Sequence, residues 1–97
     1  VWLVENDLEL AKNVAQQVRG PYLRSLGLQV GDRVQVSMNL VRPYVIGPMQ
    51  AFDQVARLAA VKGAELVGLV PEEVLLATPR QRWEELDLSR DRSLVTS

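Results

Sequence analysis

The 97-residue sequence contains no cysteine and no histidine. Without cysteine there is neither a disulfide framework nor thiolate chemistry, and a reducing, cytoplasmic setting is the compatible one. Without histidine the commonest general acid/base at neutral pH is missing, and with it every triad built on imidazole and the commonest metal ligand. No metal site is expected and no catalytic residue is assigned. No apolar run approaches the roughly 20 residues of a membrane span, so a soluble protein is expected. The chain opens at Val1 inside an apolar segment, without an initiator methionine, and reads as a piece of something longer.

Hydrophobic residues make up 47%, the formal net charge is -1, and acidic and basic side chains are interspersed. That mixture leaves no footprint for nucleic acid or an acidic membrane. A chain of this length is one domain with a single modest core, so support from a partner would help it.

Apolar periodicity divides the chain. Val1–Glu5 is short and β-prone. Asn6 reads as an N-cap with Glu9 completing a capping box, and Ala11, Val14, Ala15 and Val18 follow at helical spacing, predicting a helix over 7–19. Pro21–Leu26 suits one further helical turn stopped by Gly27. From Leu28 the period becomes two, through Val30, Val34, Val36, Met38 and Leu40. This is a hairpin, for which a three-residue loop, Gly31–Arg33, is expected because it pairs Val30 with Val34 and Leu28 with Val36. Pro48 starts a second helix with the stripe Met49, Phe52, Val55, Ala56 and Ala59, closed by Lys62 and Gly63. A strand is predicted over 64–70, then short helices over 72–77 and 79–86, the last with Trp83 as a hydrophobic anchor. Residues 1–86 are read as the domain, and 87–97 as a polar, irregular tail.

The order βαββαβ is the ferredoxin-like, α+β arrangement: a four-stranded antiparallel sheet with both helices on one face, here with a short helical tail at the C-terminus. The second sheet face is left open. If Val34, Val36, Met38 and Leu40 face the helices, then Gln35, Ser37 and Asn39 project from the open face. By the same alternation Glu65, Val67 and Leu69 join them, while Leu66, Gly68 and Val70 turn inward. Amide, hydroxyl and carboxylate groups beside branched apolar ones suit a ligand wall or a subdomain interface, although a face that is simply solvated, or buried in a dimer, has the same composition. Gly63 and Gly68 bracket four residues with no Lys-Ser/Thr after them, which excludes a phosphate loop; Gly68 reads as a close-packing glycine in a strand. Glu72, Glu73, Glu84, Glu85 and Asp87 lie among Arg80, Arg82, Arg90 and Arg92, the pattern of a solvated mixed-charge surface.

VQVSMNL at 34–40 and AELVGLVP at 64–71, with PYLRSLGLQVGDR at 21–33 before them, resemble the C-terminal subdomain of glutamate formiminotransferases. Residues 7–18 are similar to that subdomain's first helix, and RWEELDLSRDRSLVTS at 82–97 looks like the end of short, actinobacterial-type members. The chain departs from the longer animal-type pattern at Gly20–Pro21 and before Ala64, where it is several residues shorter. The resemblance implies a cytoplasmic, two-subdomain transferase of histidine degradation and one-carbon metabolism. Such an enzyme moves a formimino group from formiminoglutamate to tetrahydrofolate, which binds between the subdomains and is the only cofactor implied. The family's general-base histidine belongs to the N-terminal subdomain and has no counterpart here. Only Gln35, Ser37, Asn39 and Glu65 carry over, as folate-binding candidates, and the isolated chain is expected to be inactive. The partners implied are the N-terminal subdomain or a second copy of this chain. The alternative is a stand-alone, non-catalytic domain that dimerises or binds a small ligand through its open sheet face.

Overall fold

A computed structural model describes residues 1–94. Its first strand, β1 (Trp2–Leu3), leads into α1 (Leu8–Val18), the hairpin β2 (Leu23–Val30) and β3 (Arg33–Leu40), α2 (Pro48–Ala56) and β4 (Val61–Gly63). These strands form one antiparallel sheet in the order β2-β3-β1-β4, the ferredoxin-like order expected of βαββαβ. Both helices lie on one face. Ala11, Val14, Ala15 and Val18 of α1 and Ala51 and Val55 of α2 close over Leu3, Leu23, Val34 and Val36 to make the main core. No helix is long and apolar enough to cross a membrane among the described residues.

Helix α1 starts one residue later than its capping pattern predicts. The cap is Asp7, whose carboxylate accepts a hydrogen bond from the Leu10 amide at 3.2 Å. The stretch expected to be an extra helical turn, 21–26, is instead the beginning of β2, joined to the chain before it by a Gly20–Leu23 bridge. Gly27 is therefore mid-strand and is no helix stop. A Cβ there would lie 2.6 Å from the Lys12 nitrogen and 2.7 Å from the Ala11 carbonyl carbon, so α1 sits directly on the glycine.

That contact also decides the hairpin register, which differs from the expectation. The loop has two residues, Gly31 and Asp32, and Val30 pairs with Arg33 and Leu28 with Gln35. Gly31 takes φ +63° while Asp32 does not have a positive φ, the pattern of a type II′ turn. Moving a register by one residue turns every side chain over. Here it brings Leu23, Ser25 and Gly27 to the helix-covered face and sends Leu26, Leu28 and Val30 to the open one. Ser25 fits under α1 by donating its hydroxyl to the Ala15 carbonyl.

The strand expected over 64–70 is also displaced. The fourth strand is the three residues before it, β4, and α2 ends at Ala56 to make room. Residues 64–69 form no strand because the C-terminal segment takes up their backbone groups. The Ala64 amide donates to the Glu85 carbonyl at 3.1 Å, the Leu66 amide to the Asp87 carboxylate at 2.8 Å, and Arg92 donates to the Leu66 carbonyl. Gly68 has φ +92° and open space where a Cβ would stand, so its role is conformational and not close packing.

Beyond it, β5 (Val70–Pro71) leads into α3 (Glu72–Ala77) and pairs in parallel with β6 (Ser93–Leu94). A second core gathers here from Phe52, Val70, Val74, Leu75, Trp83, Leu86 and Leu88. Residues 80–82 and 90–92 are single 3₁₀ turns, so the helix expected over 79–86 shrinks to one turn, and 87–94 carry a buried Leu88 and a strand pairing where an irregular tail was expected; the rest of that tail, 95–97, lies outside the described residues. Trp83 is buried, and its indole N–H donates to the Thr78 carbonyl at 3.0 Å. Arg82 reaches across to α2 and grips the Asp53 carboxylate with both terminal nitrogens, at 2.6 and 3.3 Å.

Candidate functional site

Strand β3 alternates. Val34 and Val36 are fully buried beneath the helices, while Ser37 and Asn39 are exposed on the other side and Gln35 is half-buried there. Residues 64–70 cross beside the second half of β3. Though residues 64–69 form no strand, the stretch keeps the alternation expected of one: Leu66 and Val70 turn toward the second core, and Glu65, Val67 and Leu69 face outward.

Between β3 and this segment lies a cavity of about 430 Å³. Gln35, Ser37, Asn39 and Glu65 all line it, as do Val67 and Leu69. All four polar candidates named from the sequence are thus drawn together on one cavity. Pro48, Ala51 and Phe52 of α2 also line it, a contribution that the sequence reading missed: Pro48 was read only as the helix start, Phe52 only as part of the apolar stripe, and Ala51 was not singled out.

The cavity is mostly apolar, with Glu65 as its one charged side chain among the described residues. The Val1 amine stands at one end and donates to the Val36 carbonyl at 2.9 Å. Burial pushes this amine below its ordinary range, and the Glu65 carboxylate opposes that push. Beside it Trp2 pairs with Gln35 and so shares the open face, where the Arg33 guanidinium stacks 4.2 Å from the ring centroid. Trp2 was also missed. Period-two alternation in VWLVE was the available signal, since it sets Leu3 inward and Trp2 outward.

The chemistry of this lining suits binding. It offers amide, hydroxyl and carboxylate groups for hydrogen bonding and branched side chains for apolar contact, at a size typical of small-molecule pockets. Among the described residues no three carboxylates gather closely enough to hold a metal ion. No family model, curated protein or solved structure matches the chain.

Proposed function

We propose that this domain forms one wall of a folate site in a formiminotransferase-like enzyme, steadying tetrahydrofolate while a formimino group reaches it from formiminoglutamate. The observation that carries the reading is the convergence of Gln35, Ser37, Asn39 and Glu65 on a single cavity whose other lining is apolar. A flat, amide-bearing ring system needs such a wall: directional partners for its edge and branched side chains for its face. The motifs that supply these residues are the ones that resemble the formiminotransferase subdomain.

The transfer itself needs a base to take the proton from the attacking folate nitrogen, and donors around the charged tetrahedral centre. This chain has no histidine to serve as that base. The division of labour therefore assigns orientation to this domain and proton transfer to the partner N-terminal subdomain.

Tetrahydrofolate titrated into the chain and followed by amide chemical shifts tests the reading. One wall alone binds weakly, with a Kd of about 1 mM, equivalent to about -4 kcal/mol. Shifts concentrated at Gln35, Ser37, Asn39 and Glu65 are expected. Shifts elsewhere, or none at several millimolar, would remove the folate assignment.

A second reading, a domain that pairs through its open face, is favoured by one observation. Leu26 and Val30 of β2 project from that face with 56% and 46% of their surface exposed.

A further inference from the structure

Strand β2 is an outer edge of the four-stranded sheet, with β3 along one side only. Its backbone groups point alternately to β3 and to the edge. Val30 and Arg33 flank the two-residue loop, and the Val41 amide donates to the Tyr22 carbonyl at 3.0 Å. The even-numbered residues from Tyr22 to Val30 therefore bond to β3, and the odd-numbered ones point outward. Two of the outward residues are already engaged. Leu23 exchanges hydrogen bonds with Gly20, at 2.9 and 3.3 Å, and the Ser25 carbonyl accepts from the Arg19 guanidinium at 2.9 Å. The backbone N–H and C=O groups of Gly27 and Gln29 have no partner among the described residues. The edge also lacks the features that keep strands apart. Its register with β3 runs unbroken from Leu23 to Val30, without bulge or proline, and Arg24 is its one charge.

We infer that a second copy of this chain docks here, β2 against β2 in antiparallel sense about a two-fold axis at Leu28, joining the two sheets into one. Outward groups must meet outward groups, so odd-numbered residues pair with odd-numbered ones and the axis falls on a residue. An axis at Leu26 or Gly27 drives the end of the second hairpin into the Gly20–Leu23 bridge. An axis at Gln29 sets Gly27 against the turn of the second copy. At Leu28, Gly27 meets Gln29 of the second copy on each side of the axis, and the free groups of both edges satisfy one another. The side chains then match as well. On the open side Leu26 faces Val30 of the second copy and Leu28 faces its own image, all three being exposed or half-buried in the single chain. At each end of the seam Arg24 comes beside Asp32 of the second copy, and neither forms an ion pair within its own chain among the described residues. On the helix side Gln29 stands opposite a glycine, which has no side chain to obstruct it. This charge and apolar complementarity points to a second copy as the occupant. The seam is main chain, so it differs from stacking through the open face and is independent of the folate reading.

Single cysteines test the register, since the chain has none of its own. Leu28→Cys sets two thiols in a non-hydrogen-bonded pair with Cα atoms about 4.5 Å apart, within disulfide range. Leu26→Cys and Val30→Cys each stand more than about 13 Å from their own image. Under mild oxidation with glutathione disulfide, Leu28→Cys should form disulfide dimers about tenfold faster than either, and a mixture of the other two should yield the heterodimer. Equal rates in all three, or fastest cross-linking of Leu26→Cys, would overturn the inference. The unsubstituted chain gives a second measure by amide hydrogen exchange without folate. Gly27 and Gln29 should exchange fast when dilute and become protected as concentration rises. Protection independent of concentration, which marks an edge covered within the chain, would overturn the inference. So would the lack of any protection at millimolar concentration, which leaves the edge to a different strand.

Discussion

Gly27 shows how one missing side chain sets the geometry of this domain. Backbone atoms of α1 stand where its Cβ would be, and backbone cannot step aside as a flexible side chain can. Gly27→Ala should cost about 1 to 3 kcal/mol, seen as a fall in Tm of roughly 4 to 8 °C per kcal/mol. Gly20→Ala, with open space around it, should leave the melt unchanged. The two sides of β3 separate stability from binding in the same way. Val36 is fully buried, so Val36→Ala should cost about 2 to 4 kcal/mol in urea unfolding. Asn39 is exposed, and Asn39→Ala should stay within about 0.5 kcal/mol. If folate occupies the cavity, the Asn39 variant should instead weaken its binding by about 1 to 3 kcal/mol in a calorimetric titration of the two-subdomain enzyme. The inward and outward residues of β3 were legible in the sequence because strict period two states them directly. Gly27 was not, because a glycine ending a Pro-led stretch has the local look of a helix stop, and only the packing of α1 reveals the other use.

Among the elements, those held by their own pattern match the sequence and those held by distant partners do not. Both helices and β3 bury a continuous apolar stripe, and periodicity alone places them. The hairpin loop failed on a reasonable argument: pairing apolar with apolar favoured three residues, whereas the close seat of α1 on Gly27 favours two. Residues 64–69 carry every local sign of a strand, but their hydrogen bonds go to Glu85, Asp87 and Arg92, more than fifteen positions away, which no local window contains. The attachment of the C-terminal segment to α2 has its own signature in acid. The hydrogen bonds from Arg82 hold the Asp53 carboxyl below its usual range. A group with a lowered folded pKa stabilises above its unfolded value and loses that contribution as pH falls through the folded one, so the loss belongs below about pH 4. Urea melts of wild type and Asp53→Asn should therefore converge as pH drops below that point and differ by a constant amount above it. Divergence that grows on acidification would mean that Asp53 is not the group responsible.

At the scale of the whole molecule, the sheet presents to one side what most domains of this size cover. Leu26, Leu28 and Val30 share that side with Trp2, and exposed contiguous apolar surface marks a place for another body. Sedimentation velocity should show a weight-average coefficient rising through the high-micromolar range, and Leu26→Lys should suppress the rise while preserving the melt. A species that stays monomeric throughout would count against pairing through this face. The position of α2 has a separate consequence. Ala51 and Val55 belong to the main core, and Phe52, one residue from Ala51, belongs to the second. One helix is thus a structural member of both, and neither can melt without stripping the other of a wall. The domain should behave as a single cooperative unit in calorimetry, with equal calorimetric and van't Hoff enthalpies, and a substitution in the C-terminal core such as Leu75→Ala should lower the transition of the four-stranded sheet along with its own.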